Sequence, residues 1–375
     1  MFQPVEQKTI LITGGTGFIA AALAMRLLEQ DKSSKVVLFD RNPDQSRLTG
    51  YGAPAPNSQA PDRYTPVKDR ITVVQGDLTL LPHVLAVFDA HKPDSVFHLG
   101  ALLSAGADAN PTMGFQVDLV GAWHVLEAAR IYCQNNASLP PIRVLFPSTI
   151  ASFGKFLDTT KTVPNETAQM PTTMYGCAKV SVERLGEYYA ARTRDGGLKR
   201  GWIDFRAVRF PPVIGASRGP GGTTAYSTLM LQEPARGRPY TAYVTEDTVL
   251  DVIYVDDAVD ALIRLHDAPA SAFVPQDALK ERRVYNIAGI RIAGKAPTAG
   301  DIAKAVKSAV PNAVISYDPD SALVATVSSF GVLDDQAARA DWGWPGAQND
   351  LQTAVQKFVT EVKAYPKRIK ALELY

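Results

Sequence analysis

Near its start the chain passes from a short apolar strand through a run of glycines into a helix, and this feature limits the fold more than any other. Residues 10–13 are apolar or β-branched, which predicts a buried strand that ends at a turn. Beyond Thr16, the apolar residues Ile19, Leu23 and Leu27 recur at helical spacing. We therefore expect a strand, a tight glycine turn and a helix, the unit with which many parallel α/β sheets begin.

The rest of the chain continues to alternate between short apolar strands and longer helices. We predict further strands over residues 35–40, 71–75, 95–99, 143–147 and 204–209, and long helices over residues 111–132 and 175–192. Such alternation is typical of an α/β fold with a doubly wound parallel sheet of the Rossmann type, covered by helices on both faces.

The alternation loosens after residue 211, which divides the chain into two predicted parts. Residues 1–211 form the predicted dinucleotide-binding Rossmann domain, to which residues 249–268 return, and residues 212–375 form a smaller C-terminal α/β lobe that binds substrate. Open α/β sheets bind ligands at the carboxyl ends of their strands, so the lobe is expected over that edge. Residues 41–70 and 195–201 are predicted surface loops, the first rich in Pro, Gly, Ser and Asn.

Composition argues against several classes of partner. The chain has 39 basic and 38 acidic residues, so neither nucleic acid nor an anionic membrane is an expected partner. Two cysteines do not form a disulfide framework, which favours a reducing compartment. No apolar run approaches the roughly 20 residues that cross a bilayer, and residues 1–7 are too short and polar for a secretory signal. We expect a cytoplasmic protein that acts on a small polar molecule.

The glycine turn has the features of a dinucleotide site. Gly14 allows the tight turn, Gly17 lets the backbone approach a pyrophosphate, and the small Ala20 lets the helix pack on the strand. The amides at the start of the helix, beginning with Phe18 and Ile19, are free to bind phosphate.

Asp40 strengthens this interpretation. It ends the second predicted strand, about 20 residues beyond the glycines, where an acid accepts hydrogen bonds from a ribose 2′-hydroxyl. The same carboxylate would repel a 2′-phosphate, which favours NAD over NADP. The neighbouring Arg41 leaves the alternative open, because an arginine at this position can tolerate a phosphate.

Two further segments follow strands at the same edge of the predicted sheet. Asp77 and Leu78 follow the third strand, and Gly100, Ala101 and Leu102 follow the fourth. These residues are candidates to border the adenine and the ribose–pyrophosphate of the cofactor, although simple turns would also place them there.

A second set of residues suits proton transfer. Tyr175 and Lys179 are four residues apart in a predicted helix and so share a face. A tyrosine normally keeps its proton to about pH 10, but a neighbouring ammonium and a positively charged nicotinamide favour the tyrosinate and make it a usable base. Ser148 and Thr149 follow a predicted strand and are candidate substrate contacts, with Thr149 holding the substrate oxygen by a hydrogen bond.

Other chemistry is not expected from the sequence. The five histidines have no metal-like spacing with cysteine or carboxylate, so no metal site is predicted. His98 ends a buried strand and is interpreted as structural. Cys177 has no evident histidine partner, which argues against a catalytic thiol.

These motifs together resemble the NAD-dependent epimerase/dehydratase family, a group of extended short-chain dehydrogenases. The resemblance runs from about Ile10 to Trp344. Within the family it is most similar to the short-chain L-threonine 3-dehydrogenases, at residues 101–105, 147–154, 186–189, 220–224 and 341–344. Residues 201–209 and 232–234 are more similar to the D-erythronate dehydrogenases, which oxidise a sugar acid.

The resemblance implies roles for individual residues. Thr149, Tyr175 and Lys179 would be catalytic, and Pro211 and Val213 would border the nicotinamide. Substrate contacts would come from Ser104, Thr223 and Thr224. Two positions differ from the family's usual residues, since Asp118 replaces an Asn and Ala20 replaces the last glycine of the loop.

Three functions are compatible with this pattern. The first is an NAD-dependent dehydrogenase acting on the secondary hydroxyl of a small hydroxy acid. The second is a nucleotide-sugar epimerase or dehydratase that holds NAD tightly, and the third is a silent NAD-binding module, against which the intact tyrosine and lysine argue. The family also implies a homodimer formed by the helices at residues 111–132 and 175–192, whose apolar residues extend beyond one narrow stripe. These include Trp123, Leu126, Tyr188 and Tyr189.

Overall fold

The structure is a computed structural model that describes residues 8–154, 162–191, 201–273 and 281–370. The strands in chain order are β1 (Thr9–Thr13), β2 (Lys35–Asp40), β3 (Ile71–Gln75), β4 (Ser95–His98), β5 (Arg143–Thr149), β6 (Thr162–Val163), β7 (Asp204–Phe210), β8 (Val213–Ile214), β9 (Tyr240–Ala242), β10 (Ile253–Tyr254), β11 (Val284–Asn286), β12 (Ile315–Tyr317) and β13 (Val332–Leu333). Seven of them form one sheet in the order β11-β7-β5-β4-β1-β2-β3, and every neighbouring pair is parallel. The predicted α/β class with a doubly wound parallel sheet is confirmed.

Helices cover both faces of this sheet. In chain order they are α1 (Phe18–Gln30), α2 (Ser46–Thr49), α3 (Leu81–His91), α4 (Ser104–Ala109), α5 (Pro111–Gly114), α6 (Gly121–Asn135), α7 (Met174–Ala191), α8 (Tyr226–Ala235), α9 (Val255–Asp267), α10 (Ala299–Ala309), α11 (Ser321–Ser328), α12 (Gln336–Trp342), α13 (Leu351–Ala364) and α14 (Lys367–Lys370). In β1, Ile10 and Ile12 belong to a core shared with α1 and α9, whereas Leu11 belongs to a second core shared with α3, α6 and α7. Because both faces are covered, the central strands are almost continuously apolar.

Several elements after β7 pack together in the region predicted as the smaller lobe. Helix α8 packs against α10 and α13, and β9 pairs with β12. The domain boundary predicted at residue 211 stays a prediction, and the sheet itself continues beyond it, since β11 pairs with β7. Helix α9 packs against α1, β5 and β7. In the described part of the chain, no helix combines the length and apolar character that crossing a membrane requires.

The helix predicted over residues 111–132 is not a regular α-helix. Between α5 and α6 the chain forms a π-helical turn at Phe115–Val120. This turn contains Asp118, which is 2% exposed. π-helical turns inside α-helices often occur at functional sites because they redirect a side chain.

Residues 41–70 were predicted as a surface excursion, and the structure corrects this in part. The segment contains α2 and two short 3₁₀ turns and packs against the C-terminal helices. Tyr51 is buried, with its ring centroid 5.4 Å from that of Tyr365 and 3.6 Å from the guanidinium carbon of Arg368. These aromatic contacts attach the Pro- and Gly-rich segment to the C-terminal part of the chain. Residues 195–200 of the second predicted loop lie outside the described residues.

Candidate active site

The glycine loop forms a cradle between β1 and α1. Gly14 has a φ of +62°, and a Cβ at this position would lie 2.6 Å from the Cα of Gly100. Only glycine fits both the backbone angle and this close approach. Helix α1 begins at Phe18 with Gly17 as its N-cap, and no side chain caps it. The free amides of the first turn face a cavity lined by Gly17, Phe18 and Ile19, which suits a pyrophosphate.

Asp40 lies beside this loop, and its carboxylate is engaged within the chain. One oxygen accepts hydrogen bonds from the Thr16 N–H at 3.1 Å and the Thr16 hydroxyl at 2.9 Å, and the other accepts from the Asn42 N–H at 3.0 Å. Asp40 thus fixes the glycine loop against the end of β2. Neither Asp40 nor Arg41 lines the cavity itself. Binding of a ribose by these two residues stays a prediction.

Of the residues predicted after β3 and β4, Ala101 lines the cavity. Gly100 lies directly beneath Gly14, and a Cβ at Gly100 would lie 2.5 Å from Cδ1 of the buried Leu78. Asp77 accepts hydrogen bonds at 2.8 Å from both the N–H and the hydroxyl of Thr79. Leu78, Gly100 and Asp77 therefore support the loop from behind in this structure.

One cavity of about 430 Å³ brings the remaining predicted residues together. It extends from the glycine loop, across the carboxyl ends of β1, β4, β5 and β7, to the segment before α8. The predicted residues that line it are Gly14, Gly17, Phe18, Ile19, Ala101, Ser104, Ser148, Thr149, Tyr175, Lys179, Pro211, Val213, Thr223 and Thr224. Among the described residues that line it there is no Asp or Glu.

Tyr175 and Lys179 lie on the same face of α7, as their spacing predicts. The Nζ atom of Lys179 donates a hydrogen bond to the Pro147 carbonyl at 2.8 Å and lies 5.4 Å from the centroid of the Tyr175 ring. Thr149 is the last residue of β5. Its hydroxyl accepts a hydrogen bond from the Ala151 N–H at 3.2 Å and is close enough to the Tyr175 hydroxyl to lower the pKa of that tyrosine. Strand β5 and helix α7 thus place the three functional groups against one another.

Burial dominates the electrostatics of this pair. It raises the pKa of Tyr175, and the Asp118 carboxylate raises it further, whereas Arg218 and the hydrogen bond with Thr149 lower it. Burial also lowers the pKa of Lys179 from 10.5 to about 8, against the opposing influence of Asp118 and Glu183. The tyrosine therefore needs added positive charge to act as a base near neutral pH.

Asp118 connects the π-helical turn to this centre. One carboxylate oxygen accepts a hydrogen bond from the Leu102 N–H at 2.7 Å. The other oxygen, Oδ2, is buried and has no hydrogen-bond partner among the described residues. Burial raises the pKa of Asp118, while the Leu102 amide and the Lys179 ammonium lower it. Leu102, predicted as a cofactor contact, thus serves here to anchor Asp118 and does not line the cavity.

Glu183 lies one turn beyond Lys179 and is fully buried. It accepts hydrogen bonds from the Ser148 hydroxyl, from Gln169 at 2.9 Å and from Nη2 of Arg209 at 2.8 Å. Burial favours the neutral acid, but Arg209 and the other donors outweigh it and lower the pKa of Glu183. This network holds Ser148, and therefore the end of β5, against α7.

The cavity is also lined by two arginines that the sequence analysis did not identify, Arg47 and Arg218. Arg47 donates from Nε to the Ser217 carbonyl at 3.3 Å and from Nη1 to the Thr16 carbonyl at 3.4 Å, so it borders the glycine loop. Arg218 also lines it, with its guanidinium near Gly222. The only sequence signal for Arg218 was a lone cation in the glycine-rich segment before the predicted substrate threonines.

His98 and the two cysteines are not arranged for catalysis. The Nδ1 atom of His98 lies 2.6 Å from the Thr13 hydroxyl, and burial lowers the pKa of the imidazole to about 3, so it stays neutral. Cys133 is buried and Cys177 is exposed. Within the described ranges, no group of three or more His, Cys, Asp or Glu is arranged to hold a metal ion.

Comparison with known sequences shows which proteins this chain resembles. Residues 10–288 match the group described as the NAD dependent epimerase/dehydratase family. The mitochondrial L-threonine 3-dehydrogenase of Bos taurus is 30% identical over 351 residues, which cover 92% of this chain and 80% of the bovine protein. An uncharacterized epimerase/dehydratase of Staphylococcus haemolyticus is 31% identical over 342 residues, 90% of this chain and 92% of its own.

Solved structures agree with the sequence comparison. The GalE-like L-threonine dehydrogenase from Cupriavidus necator, in its holo form, superposes with a TM-score of 0.74 at 31% identity, covering 95% of this chain and 100% of that one. The L-threonine dehydrogenase from Clostridium difficile superposes with a TM-score of 0.76 at 27% identity, covering 95% and 99%. Both matches include the sheet and the smaller lobe.

Proposed function

The chain belongs to the NAD-dependent epimerase/dehydratase family, and from this premise we propose that it oxidises the secondary hydroxyl of a small polar hydroxy acid. Membership makes it an NAD-dependent enzyme of the extended short-chain dehydrogenase type and confirms NAD(H) as the cofactor. The proposal depends on one observation: Thr149, Tyr175 and Lys179 share a single cavity with the glycine loop.

The residues of the loop suit the cofactor in shape and charge. The pyrophosphate would lie on the uncapped start of α1, in the space that a side chain at Gly14 would close. Arg47 adds a positive charge at this end of the cavity. Pro211 and Val213 would border the nicotinamide. When bound, NAD⁺ supplies the hydride acceptor and a positive charge beside Tyr175.

Tyr175 would act as the general base. Its phenolate oxygen would accept the proton of the substrate hydroxyl as the hydride leaves the carbon that bears that hydroxyl, and the products would be a carbonyl compound, NADH and a proton. The ammonium of Lys179 favours the tyrosinate, and its bond to the Pro147 carbonyl keeps it in place. Thr149 would hold the substrate oxygen. Part of the positive charge that the buried tyrosine needs comes from Arg218, and Lys179 and the oxidised cofactor would add to it.

The substrate would be a small polar acid, threonine-like or sugar-acid-like. Ser104, Thr223 and Thr224 line the same cavity as Tyr175, and each has a hydroxyl group that could bind a polar substrate. These residues line the same cavity as the glycine loop, so the substrate would lie against the cofactor. Two of the similar proteins carry the activity L-threonine dehydrogenase in their names.

The active unit would be a homodimer. Of the apolar residues singled out on α6 and α7, Leu126 and Tyr189 are buried within the chain, while Trp123 and Tyr188 are 37% and 47% exposed. Phe115, in the π-helical turn, is 45% exposed. Helices α6 and α7 pack side by side, and aromatic residues of this kind are enriched in protein interfaces.

The first experiment is a spectrophotometric assay for NADH formation. Purified protein and NAD are mixed with L-threonine, D-erythronate and other small hydroxy acids. We expect turnover on at least one acid, slower with NADP, and a loss of about 10²- to 10⁴-fold with Tyr175→Phe. Tyr64→Phe, in the segment before β3 and outside the cavity, is the matched control and should leave the rate unchanged.

One result would contradict the proposal. If no hydroxy acid is oxidised and NAD is already bound in the purified protein, the chain is better explained as a nucleotide-sugar epimerase. That enzyme would use the same tyrosine and lysine but return the hydride to its substrate.

A further inference from the structure

Arg218 stands in the cavity without an acidic partner. It follows β8 in a turn closed by a hydrogen bond from its N–H to the Gly215 carbonyl at 3.1 Å. Its side chain lines the cavity together with Thr149 and Tyr175. Among the described residues, its one side-chain hydrogen bond runs from Nη1 to the Thr228 hydroxyl at 3.3 Å. No Asp or Glu in the described ranges pairs with it.

An unpaired cation in a cavity destabilises the protein unless a ligand supplies the missing negative charge. The Arg218 side chain is partly buried, and a cation that loses water without gaining a counter-charge is destabilised. Burial indeed lowers the pKa of Arg218, and only the tyrosines Tyr243 and Tyr175 oppose this. A guanidinium has five N–H donors in a planar fork, and most of those of Arg218 have no side-chain acceptor in the described structure. An anion in the cavity would supply both charge and acceptors.

The other cations of the cavity are placed differently. Arg47 donates to the carbonyls of Thr16, in the glycine loop, and of Ser217, directly before Arg218. Lys179 donates to the Pro147 carbonyl. The guanidinium of Arg218 instead lies near Gly222, where a Cβ would be 3.5 Å from Nη2. It is also close enough to Tyr175 that each group affects the pKa of the other.

We propose that Arg218 binds the carboxylate of the substrate and so selects short hydroxy acids. The inference rests on the proposed function, which it makes more specific. A guanidinium can donate two parallel hydrogen bonds to a carboxylate. This pairing fixes the orientation of the carboxylate and also compensates its charge. With the carboxylate on Arg218 and the hydroxyl between Thr149 and Tyr175, the carbinol carbon is held at two points. The carboxylate itself is unchanged when the alcohol loses its proton and hydride.

The test compares charged and neutral substrates in matched variants. Arg218→Met removes the cation, Arg218→Lys keeps the charge without the fork, and Arg264→Met makes the same change at an exposed arginine of α9, outside the cavity. For the acid that wild type oxidises, we expect kcat/KM to fall about 100-fold in Arg218→Met, less in Arg218→Lys, and not at all in Arg264→Met. Because Arg218 also lowers the pKa of Tyr175, rates are compared on the high-pH plateau of each variant's profile. There the amide of the same acid should lose little, and NADH affinity should stay within about twofold.

The outcomes separate this inference from the proposed function. Equal losses for the acid and its amide, or an unchanged rate in Arg218→Met, would overturn the assignment of Arg218 while leaving the dehydrogenase intact. If wild type oxidises no hydroxy acid, the proposed function fails, and calorimetry of the complex with NADH decides about Arg218. Binding of D-erythronate that Arg218→Met abolishes would support the carboxylate site. Binding of uridine diphosphate instead, or of neither ligand, would overturn it.

Discussion

Asp118 accepts a hydrogen bond from the Leu102 N–H at 2.7 Å, and this bond joins the π-helical turn to the loop after β4. It leaves a buried carboxylate facing the positive charge of Lys179, at a position where the family usually carries an uncharged amide.

Asp118→Asn should move the pH dependence of catalysis toward acid. The Asp118 charge raises the pKa of both Tyr175 and Lys179, so removing it should lower both. The tyrosinate then forms at lower pH, and the ammonium is also lost at lower pH. We expect both limbs of the kcat/KM profile to move by about one pH unit. The Asn side-chain oxygen can keep the bond to Leu102, so coincident profiles in a folded variant would show that the charge has no influence.

Gly14→Ala should weaken cofactor binding and destabilise the fold. The new Cβ would lie 2.6 Å from the Cα of Gly100, and the backbone already has a φ of +62°. We expect a loss of stability of about 1–3 kcal/mol in urea unfolding and weaker NADH binding in a fluorescence titration. Gly237→Ala is the control, because its φ is +77° but nothing lies within 4 Å. It should lose stability without losing NADH affinity, and equal effects of both variants on NADH would refute the steric explanation.

Glu183→Gln should destabilise the protein in a pH-dependent way. It removes one member of a buried ion pair with Arg209, a change that costs about 3–5 kcal/mol. The pKa of Glu183 lies below its unfolded value of 4.5, so its contribution is fully present above that pH and is lost as the pH falls through the folded pKa. The difference in unfolding free energy between wild type and variant should therefore shrink in acid.

The control for Glu183 is Glu29→Gln, which breaks a half-exposed pair with Arg63. Surface pairs contribute about 0–1 kcal/mol, so this variant should differ little from wild type in urea. The difference in unfolding free energy between wild type and Glu183→Gln could instead stay constant between neutral pH and about pH 3.5. That result would argue against the ionised state of Glu183 as the cause of the difference.

Tyr188→Glu should convert the expected dimer into monomers. Tyr188 lies on the exposed side of α7, with its ring beside that of Trp202, and a buried unpaired carboxylate at this position would oppose association. Sedimentation velocity measures the change, with Val314→Glu as a control at a 62% exposed residue of the smaller lobe. A wild type that sediments as a monomer at micromolar concentration would contradict the dimer itself.

The local patterns of the sequence were sufficient for the sheet and for the outline of the site. Apolar runs, the Gly14–Gly17 spacing and the four-residue interval between Tyr175 and Lys179 depend on backbone geometry that neighbouring residues set. The parallel order of strands then brings their carboxyl ends to one edge, which is why the cavity contains residues from Gly14 to Thr224. These features follow from short-range periodicity, and the structure agrees with them.

Tertiary structure decided which charges are paired. Nothing near Arg218 in the sequence indicates that it lacks an acidic partner, and nothing near Asp118 indicates that one oxygen is buried without a donor. Asp40 accepts hydrogen bonds from Thr16 and Asn42, which only the packing of loop on strand reveals. Burial and pairing are relations between segments far apart in the chain, so the sequence determined the chemistry that is present, and the fold determined which charges and hydrogen-bonding groups remain for a ligand.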